Sequence, residues 1–411
     1  MKYIWNKYMN TPFVLKMSLG FLLGIIAGLI FKTETEILQP FGTLLINLLS
    51  LIAIPIIFLT VVLAVNQMSV TQLGRVGWKL ILYYAATTAA ALLIGLGLAF
   101  LFHPGNKLEL PNVQIDKPET PGLSDVLLKI VPDNIFQAFS NGDVLAITFV
   151  ATILGIGIST MKFSNDTRLI EYGKLLEKVF TAFNELLGIV LKGILAYAPI
   201  GVFAISAVAF GSQGWTSLQS LIKFIGVFYL GLCILWLIVY TGFLKLSGTP
   251  ILQFFKNTKE AYTTAFFTSS SIASLPIAIE SAKNAGISEK TANFALPLGA
   301  VFNSDGGALR MGVSIIFAAN VTNMQLSLTD LLIITLVGTL LSIGTSGVPA
   351  AGLVTLSAVL TMFGLPLEIV ALIAGIDAII GMGGTASNVV GDIVGAAVVD
   401  RAEEKQLTPP I

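Results

Sequence analysis

The sequence predicts an all-α polytopic membrane protein with eight transmembrane helices and two re-entrant helical hairpins that enter from opposite faces. Three observations carry this expectation. Of the 411 residues, 55% are hydrophobic and only 11% charged, and the mean hydropathy is +0.88. That apolar complement would fill about eleven 20-residue spans, far more than one soluble core can bury. Long apolar runs recur along the whole chain. In the second half these runs are interrupted by polar, Gly-containing tracts, which are tolerated at membrane depth only where protein or a water-filled cavity surrounds them.

Composition also narrows function. Lys+Arg 23 balances Asp+Glu 23, so no basic surplus points to nucleic acid. One His and one Cys exclude a cluster of either as metal ligands and exclude a disulfide frame. No Ser/His/Asp set, zinc motif or nucleophile beside a base is found, so an enzyme is not expected, nor any cofactor.

The elements follow in order. Lys2, Lys7 and Lys16 precede an apolar run over 17–31 with no small-residue cleavage site after it, which reads as a retained first helix. Further runs at 41–65, 80–102, 141–160, 180–211 and 217–243 are separated by charged or Pro/Gly-containing connections, as ordinary spans are. The N-terminal tail, Arg75 and Lys79, the segment 162–178, Lys245, Lys256 and Lys259, Lys283 and Lys290, and Arg401 and Lys405 share one side, which the positive-inside rule assigns to the cytoplasm. Both termini are then cytoplasmic, in a plasma (inner) membrane. The acid-rich stretch 103–143, with Pro104, Pro111, Pro118 and Pro121, reads as an irregular, mobile outside loop.

The second half differs in kind. Its runs, at 296–318, 330–345, 352–363 and 366–400, are cut by Thr268-Ser269-Ser270-Ser271, Asn303-Ser304-Asp305-Gly306-Gly307, a tract at 344–349, and Thr385 with Asn388 and Asp392. Lys259 and Lys283 lie on one side with about 23 residues between them, too few to cross twice but enough to enter and return. The stretch 327–364 has the same character from the other face, with 344–352 as its tip. One hairpin from each face, each followed by a helix with Asn, Asp and Gly, looks like an inverted repeat with its sites near the midplane.

On the last helix Asp377, Gly381, Gly384/Thr385, Asn388 and Asp392 fall three or four apart and share a face. Asn303 and Arg310, seven apart, share a face of the preceding span, with Asp305 expected to point elsewhere. Antiparallel helices would let Asn303 meet Asn388 and Asp392 and bring Arg310, about 10 Å outward, level with Gly381. Asp305 and Asp392 with broken-helix carbonyls suit Na⁺, and half-helix N-termini suit an anionic substrate group. Plainer readings stand beside these: the glycines as close-packing surfaces, Arg310 as a partner of Asp377, Tyr83 and Tyr84 as an interfacial aromatic pair, His103 as a loop residue, and Cys233 as a small core hydrophobe.

With these tracts the chain resembles the dicarboxylate/amino acid:cation symporters, the family of the glutamate transporters, over nearly its whole length. The anchors are Ser269-Ser270-Ser271 with Leu275-Pro276, Leu296-Pro297-Leu298-Gly299-Ala300 leading to Asn303-Ser304-Asp305-Gly306, the tip tract 344–352, and Gly375-Ile376-Asp377-Ala378 leading to Asn388 and Gly391-Asp392. The resemblance implies a homotrimer working by an elevator movement. It implies scaffold helices one and two (1–78), transport-domain helix three (79–103), the outside loop with scaffold helices four and five (104–215), and the rest of the transport domain (216–411). That last part would hold helix six, hairpin one at about 250–284, helix seven, hairpin two at about 327–364 and helix eight.

The resemblance also implies a sodium site at Gly299, Asn303, Asn388 and Asp392, and a second at Tyr84, Thr87, Thr88, Asn303 and Asp305. A third would use backbone oxygens of Val301, Ser342, Ile343 and Thr345, and there Ser304 replaces the family's usual Met. The substrate site would comprise Ser269, Ser270, Ser271, Gly307, Arg310, Val348, Gly352, Gly381, Gly384, Thr385 and Asn388. Departures concentrate there. The family's acidic amino acid binders carry an Asp for the amino group and an Arg for the distal carboxylate at the positions of Gly381 and Gly384. The usual Arg opening the serine tract is Ser269, the usual Thr is Gly307, and the usual Tyr is Arg310. Arg310 is expected to supply the second anion contact across the space left by Gly381 and Gly384. A buried ammonium without a partner costs several kcal/mol, which argues against ordinary L-aspartate or L-glutamate. The expected function is sodium-coupled import of a small organic anion; proton coupling on the same fold and an ion channel are the alternatives.

Overall fold

The computed structural model describes residues 11, 13–66, 74–106, 108, 131–345 and 351–407, and every regular element among them is helical. The helices are α1 (Phe13–Phe31), α2 (Gln39–Asn66), α3 (Gly74–Phe102), α4 (Ile135–Asn141), α5 (Val144–Lys162), α6 (Thr167–Gln213), α7 (Trp215–Ile234), α8 (Thr241–Ser247), α9 (Ile251–Thr268), α10 (Ser271–Asn284), α11 (Glu289–Phe302), α12 (Asp305–Val321), α13 (Leu328–Thr345), α14 (Ala351–Met362) and α15 (Glu368–Leu407). A 3₁₀ turn, Lys32–Leu38, joins α1 to α2, and a π-helical turn, Leu235–Tyr240, joins α7 to α8. Most of the expected outside loop, and Val348 at the second hairpin's tip, lie outside the described residues.

The chain is a multi-pass membrane protein. Among the described residues five apolar helical runs are long enough to cross a bilayer: Leu15–Leu63, which holds α1 and α2, Val76–Phe102, Thr167–Ser212, Trp215–Ser247 and Ile379–Glu404. Exposed Leu22, Leu23, Ile26 and Ile30 on α1, and Leu237 and Ile238 beyond α7, present the apolar surface a bilayer solvates.

Small residues set the helix spacing, since apolar burial gives no drive between helices in lipid. Gly20, Gly24 and Gly28 form one stripe of α1 against α6: a Cβ at Gly24 would lie 2.6 Å from the Phe203 carbonyl, and one at Gly28 2.6 Å from that of Ala207. In the same way Gly312 of α12 rides on the Leu92 carbonyl of α3, at 2.6 Å from a would-be Cβ. Helices α1, α2, α5 and α6 pack chiefly on one another, while α3, α7 and α9 to α11 gather around α12 and α15; α13 packs most on α3, and α14 most on α2.

Two helix pairs stand where the hairpins are expected. The turn between α9 and α10 is tight because Ser269 takes a left-handed conformation (φ 49°) and Ser270 is extended, its side chain accepting from Ala273 N at 3.2 Å to cap α10. Both arms pack on α15, and α13 packs on α14. The run expected as one span over 296–318 is two helices, because the chain leaves helical geometry at Asn303 (φ −105°, ψ 125°) and Ser304 (φ −143°, ψ 54°). At the far end Asp400 of α15 accepts from Ser288 N and Oγ and from Thr291 Oγ1, tying the start of α11 to α15.

Candidate functional site

The break between α11 and α12 lies against the middle of α15 and the first half of α3, and polar groups from four elements meet there. Asn303 Nδ2 donates to Asp392 Oδ1 at 2.9 Å and to the Asn388 carbonyl at 3.1 Å. The Asn388 side chain accepts from Gly306 N at 2.8 Å, so α15 caps the N-terminus of α12. Asp305, the first residue of α12, accepts from Thr88 at 2.9 Å on one oxygen and from Tyr240 at 2.7 Å on the other. Tyr84 donates to the Ala295 carbonyl at 3.1 Å.

Two glycines make the convergence possible. A Cβ at Gly299 would lie 2.6 Å from Asp392 Cγ and 2.7 Å from the Tyr84 hydroxyl; one at Gly391 would lie 2.7 Å from Asn303 Nδ2 and 2.9 Å from Asp305 Oδ2. Asp305 and Asn303 are fully buried and Asp392 is 4% exposed. Neither carboxylate has an ion-pair partner among the described residues. Two carboxylates held this deep by hydroxyl and amide donors are balanced only by a cation or a proton, and ionisable groups at membrane depth are functional by default.

The remaining expected residues sort differently. Thr87 is buried and donates to the Tyr84 carbonyl within α3. Val301 is half-buried in the last turn of α11 and Ser342 buried in α13; Ile343 and Thr345 belong to the last turn of α13. Ser269 and Ser270 form the hairpin turn and Ser271 starts α10. Gly307 lies over the Ser304 hydroxyl, and Thr385 and Asn388 are half-buried on α15. Gly381 faces open space, with no atom of the described residues within 4 Å of a would-be Cβ.

Four geometric expectations need correction. Asp305 does not point away from Asn303: the break resets the helical phase, and both reach Gly391. Gly384 leaves no passage for Arg310, because its backbone is the surface on which Gly306 packs. The plainer reading of Arg310 holds instead: 9% exposed, it forms an ion pair with Asp377 and lays its guanidinium across Gly352, in the first turn of α14, where no side chain larger than hydrogen could stand. Tyr83 and Tyr84 are buried at 5% and 1% and so are not an interfacial pair, while Cys233 is exposed.

Sequence reasoning missed Tyr240, Trp236 and Ser387. Trp236 Nε1 donates to Ser387 Oγ at 2.9 Å, and Tyr240 OH lies 3.0 Å from the Ser387 carbonyl. The extra residue of the π turn rotates Tyr240 inward, a shift that a 3.6-residue period does not contain. A Tyr240→Phe variant is expected to fold and to need roughly tenfold more coupling cation for half-maximal thermal stabilisation, since hydrogen bonds to charged groups contribute about 1.5–3 kcal/mol.

Helices broken around buried carboxylates and carbonyl oxygens in an apolar bundle define a cation-coupled secondary transporter, not an enzyme. Comparison with known proteins agrees. The chain belongs to the sodium:dicarboxylate symporter family, whose profile matches residues 13–402. It is 32% identical over 402 residues to a proton/sodium-glutamate symport protein of Geobacillus stearothermophilus, covering 94% of each chain. A C4-dicarboxylate transport protein of Cupriavidus pinatubonensis is 33% identical, over 97% of this chain and 94% of that one. A proton/glutamate-aspartate symporter of Escherichia coli is 31% identical, over 95% and 91%.

Proposed function

We propose that the protein is a sodium-coupled symporter that imports a small organic anion across the plasma membrane, its coupling ions held at Asp305 and Asp392. The observation that carries this reading is the pair of buried carboxylates, Asp305 and Asp392, ringed by oxygens and without a basic partner among the described residues. Sodium prefers such hard oxygen ligands. One ion would sit among Gly299, Asn303, Asn388 and Asp392, another among Tyr84, Thr87, Thr88, Asn303 and Asp305. A third, under α13 at Val301, Ser342, Ile343 and Thr345, has Ser304 beside it.

The substrate would lie between the serine turn at Ser269 to Ser271, the second hairpin at Val348 and Gly352, and Thr385 and Asn388 on α15. Arg310 pairs with Asp377, one turn along α15 from the open space at Gly381, and has no second ion-pair partner among the described residues, so its guanidinium would meet the anionic group of the substrate there. With glycine at 381 no carboxylate holds a substrate ammonium, which favours the dicarboxylate named for the Cupriavidus relative over the glutamate named for the Geobacillus one. The packing of α1, α2, α5 and α6 chiefly on one another supports their role as a scaffold, which in this reading is trimeric, has cytoplasmic termini and is the body past which the remaining helices move as an elevator. The proton in the relatives' names favours a second reading in which Asp305 or Asp392 carries H⁺.

Thermal stabilisation of the purified protein across amino acids, mono- and dicarboxylates and sulfonates, each with Na⁺ or with K⁺ instead, tests both. A shift needing Na⁺ and one compound class together is the expected result. Shifts indifferent to Na⁺ would remove the sodium reading, and uptake against pH would then decide for protons.

A further inference from the structure

A second concavity lies on the outer side of the polar cluster. Helix α7, the π turn, α9 and α15 enclose a groove of about 510 Å³, within the range of small-ligand sites. Its walls are the rings of Tyr229, Trp236, Tyr262, Phe266 and Phe267 with Cys233, and its open lining is apolar. Three of its polar groups are turned to protein carbonyls or hydroxyls: Tyr229 donates to the Ile379 carbonyl at 2.6 Å, Trp236 to Ser387 at 2.9 Å and Thr263 to the Lys259 carbonyl at 2.7 Å. Leu237 and Phe267 at its rim are 72% and 77% exposed, so the groove opens on the surface that hydrocarbon solvates.

The same two helices lead from the groove to a basic cluster. From Cys233 and Trp236 the chain runs through the π turn and α8 to Lys245, and the first half of α9 carries Lys256 and Lys259 before it reaches Tyr262. All three lysines are exposed and none is in an ion pair among the described residues; Glu260 follows Lys259 in the chain. An apolar groove about two helix turns inward of a basic rim matches a phospholipid, whose chain and phosphate are separated by a similar span.

We propose that this groove binds one acyl chain of an anionic glycerophospholipid, with the phosphate at Lys245, Lys256 and Lys259. Its occupancy is felt at the cation site through Trp236, Ser387, Tyr240 and Asp305. The chain of contacts is continuous: Trp236 forms the groove wall and holds Ser387, and Tyr240 lies against Ser387 and donates to Asp305. A chain packed on the indole holds Ser387 and Tyr240 in the arrangement that keeps Asp305 oriented. The coupling rests on the cation reading above; the binding does not.

Native mass spectrometry of the full-length protein, delipidated in detergent and supplemented with phosphatidylglycerol or phosphatidylcholine of equal chain length, tests the binding. Wild type is expected to retain phosphatidylglycerol at least fivefold better than Cys233→Trp or Thr263→Trp, two exposed positions from which an indole fills the groove. Replacing the three lysines by glutamine should erase the preference over phosphatidylcholine. Equal retention by wild type and both filled variants, or no headgroup preference in wild type, would overturn the site. Phosphatidylglycerol should lower the cation concentration for half-maximal thermal stabilisation in wild type and leave it unchanged in Trp236→Phe. An equal effect in both would overturn the coupling, whereas a wild type that holds the lipid and responds to no cation would sink the cation reading and leave the groove standing.

Discussion

Replacing Asp392 with asparagine is expected to abolish cation-dependent stabilisation and uptake while leaving the fold in place. Asparagine keeps the shape and the carbonyl that accepts from Asn303, so the packing of α11 on α15 survives. What disappears is the negative charge. In a site this deep, losing one carboxylate from a bound cation removes an interaction of about 3 kcal/mol or more, a hundredfold or greater weakening. The comparison variant is Asp330→Asn. Asp330 is also buried, at 3%, but accepts from Ser327 N and Oγ, both at 2.7 Å, and so fastens the start of α13. That variant should melt earlier yet titrate with the same cation midpoint. A cation midpoint for Asp392→Asn within threefold of wild type would show that this carboxylate does not hold the ion.

The second large effect concerns Arg310. An Arg310→Met variant leaves Asp377 without its partner, only 19% of its side chain exposed, and should be destabilised by about 3 kcal/mol. It should also lose substrate-induced stabilisation. The two losses separate in the double variant Arg310→Met/Asp377→Leu, because an ion pair replaced by apolar groups of similar volume is often neutral for stability. The double variant is expected to regain the thermal midpoint without regaining the response to substrate. Recovery of both would mean that the pair only braces α12 against α15, and that the anion is held elsewhere, at the serine turn and Asn388.

Much of the cluster was legible because it follows a local rule. Asn388 and Asp392 lie four apart on an unbroken helix, so a 3.6-residue period places them on one face, and in the structure both reach Asn303 or its neighbours. The same rule failed for Asp305, because it was carried across residues 303–304, where the backbone is no longer helical, although Asn303 and Arg310 both reach α15 as their spacing suggested. It failed for Tyr240 because a π turn adds a residue to the helical count. Gly381 and Gly384 look alike as letters, yet one faces open space and the other is a packing surface.

The sequence by itself determined that this chain is a helical membrane protein, where its helices are interrupted by polar residues, and that Asp305 and Asp392 are the carboxylates to be accounted for. These follow from composition and from periodicities that act over one or two turns. Only the tertiary structure decided that Tyr240 and Thr88 divide the two oxygens of Asp305 between them, that Arg310 pairs with Asp377 against Gly352, and that Cys233 opens on a groove instead of lying in the core. The physical reason is that each of these depends on how closely two helices distant in sequence approach. That spacing is set by glycines such as Gly299, Gly306 and Gly391 at the crossing points and is decided only when the bundle is assembled.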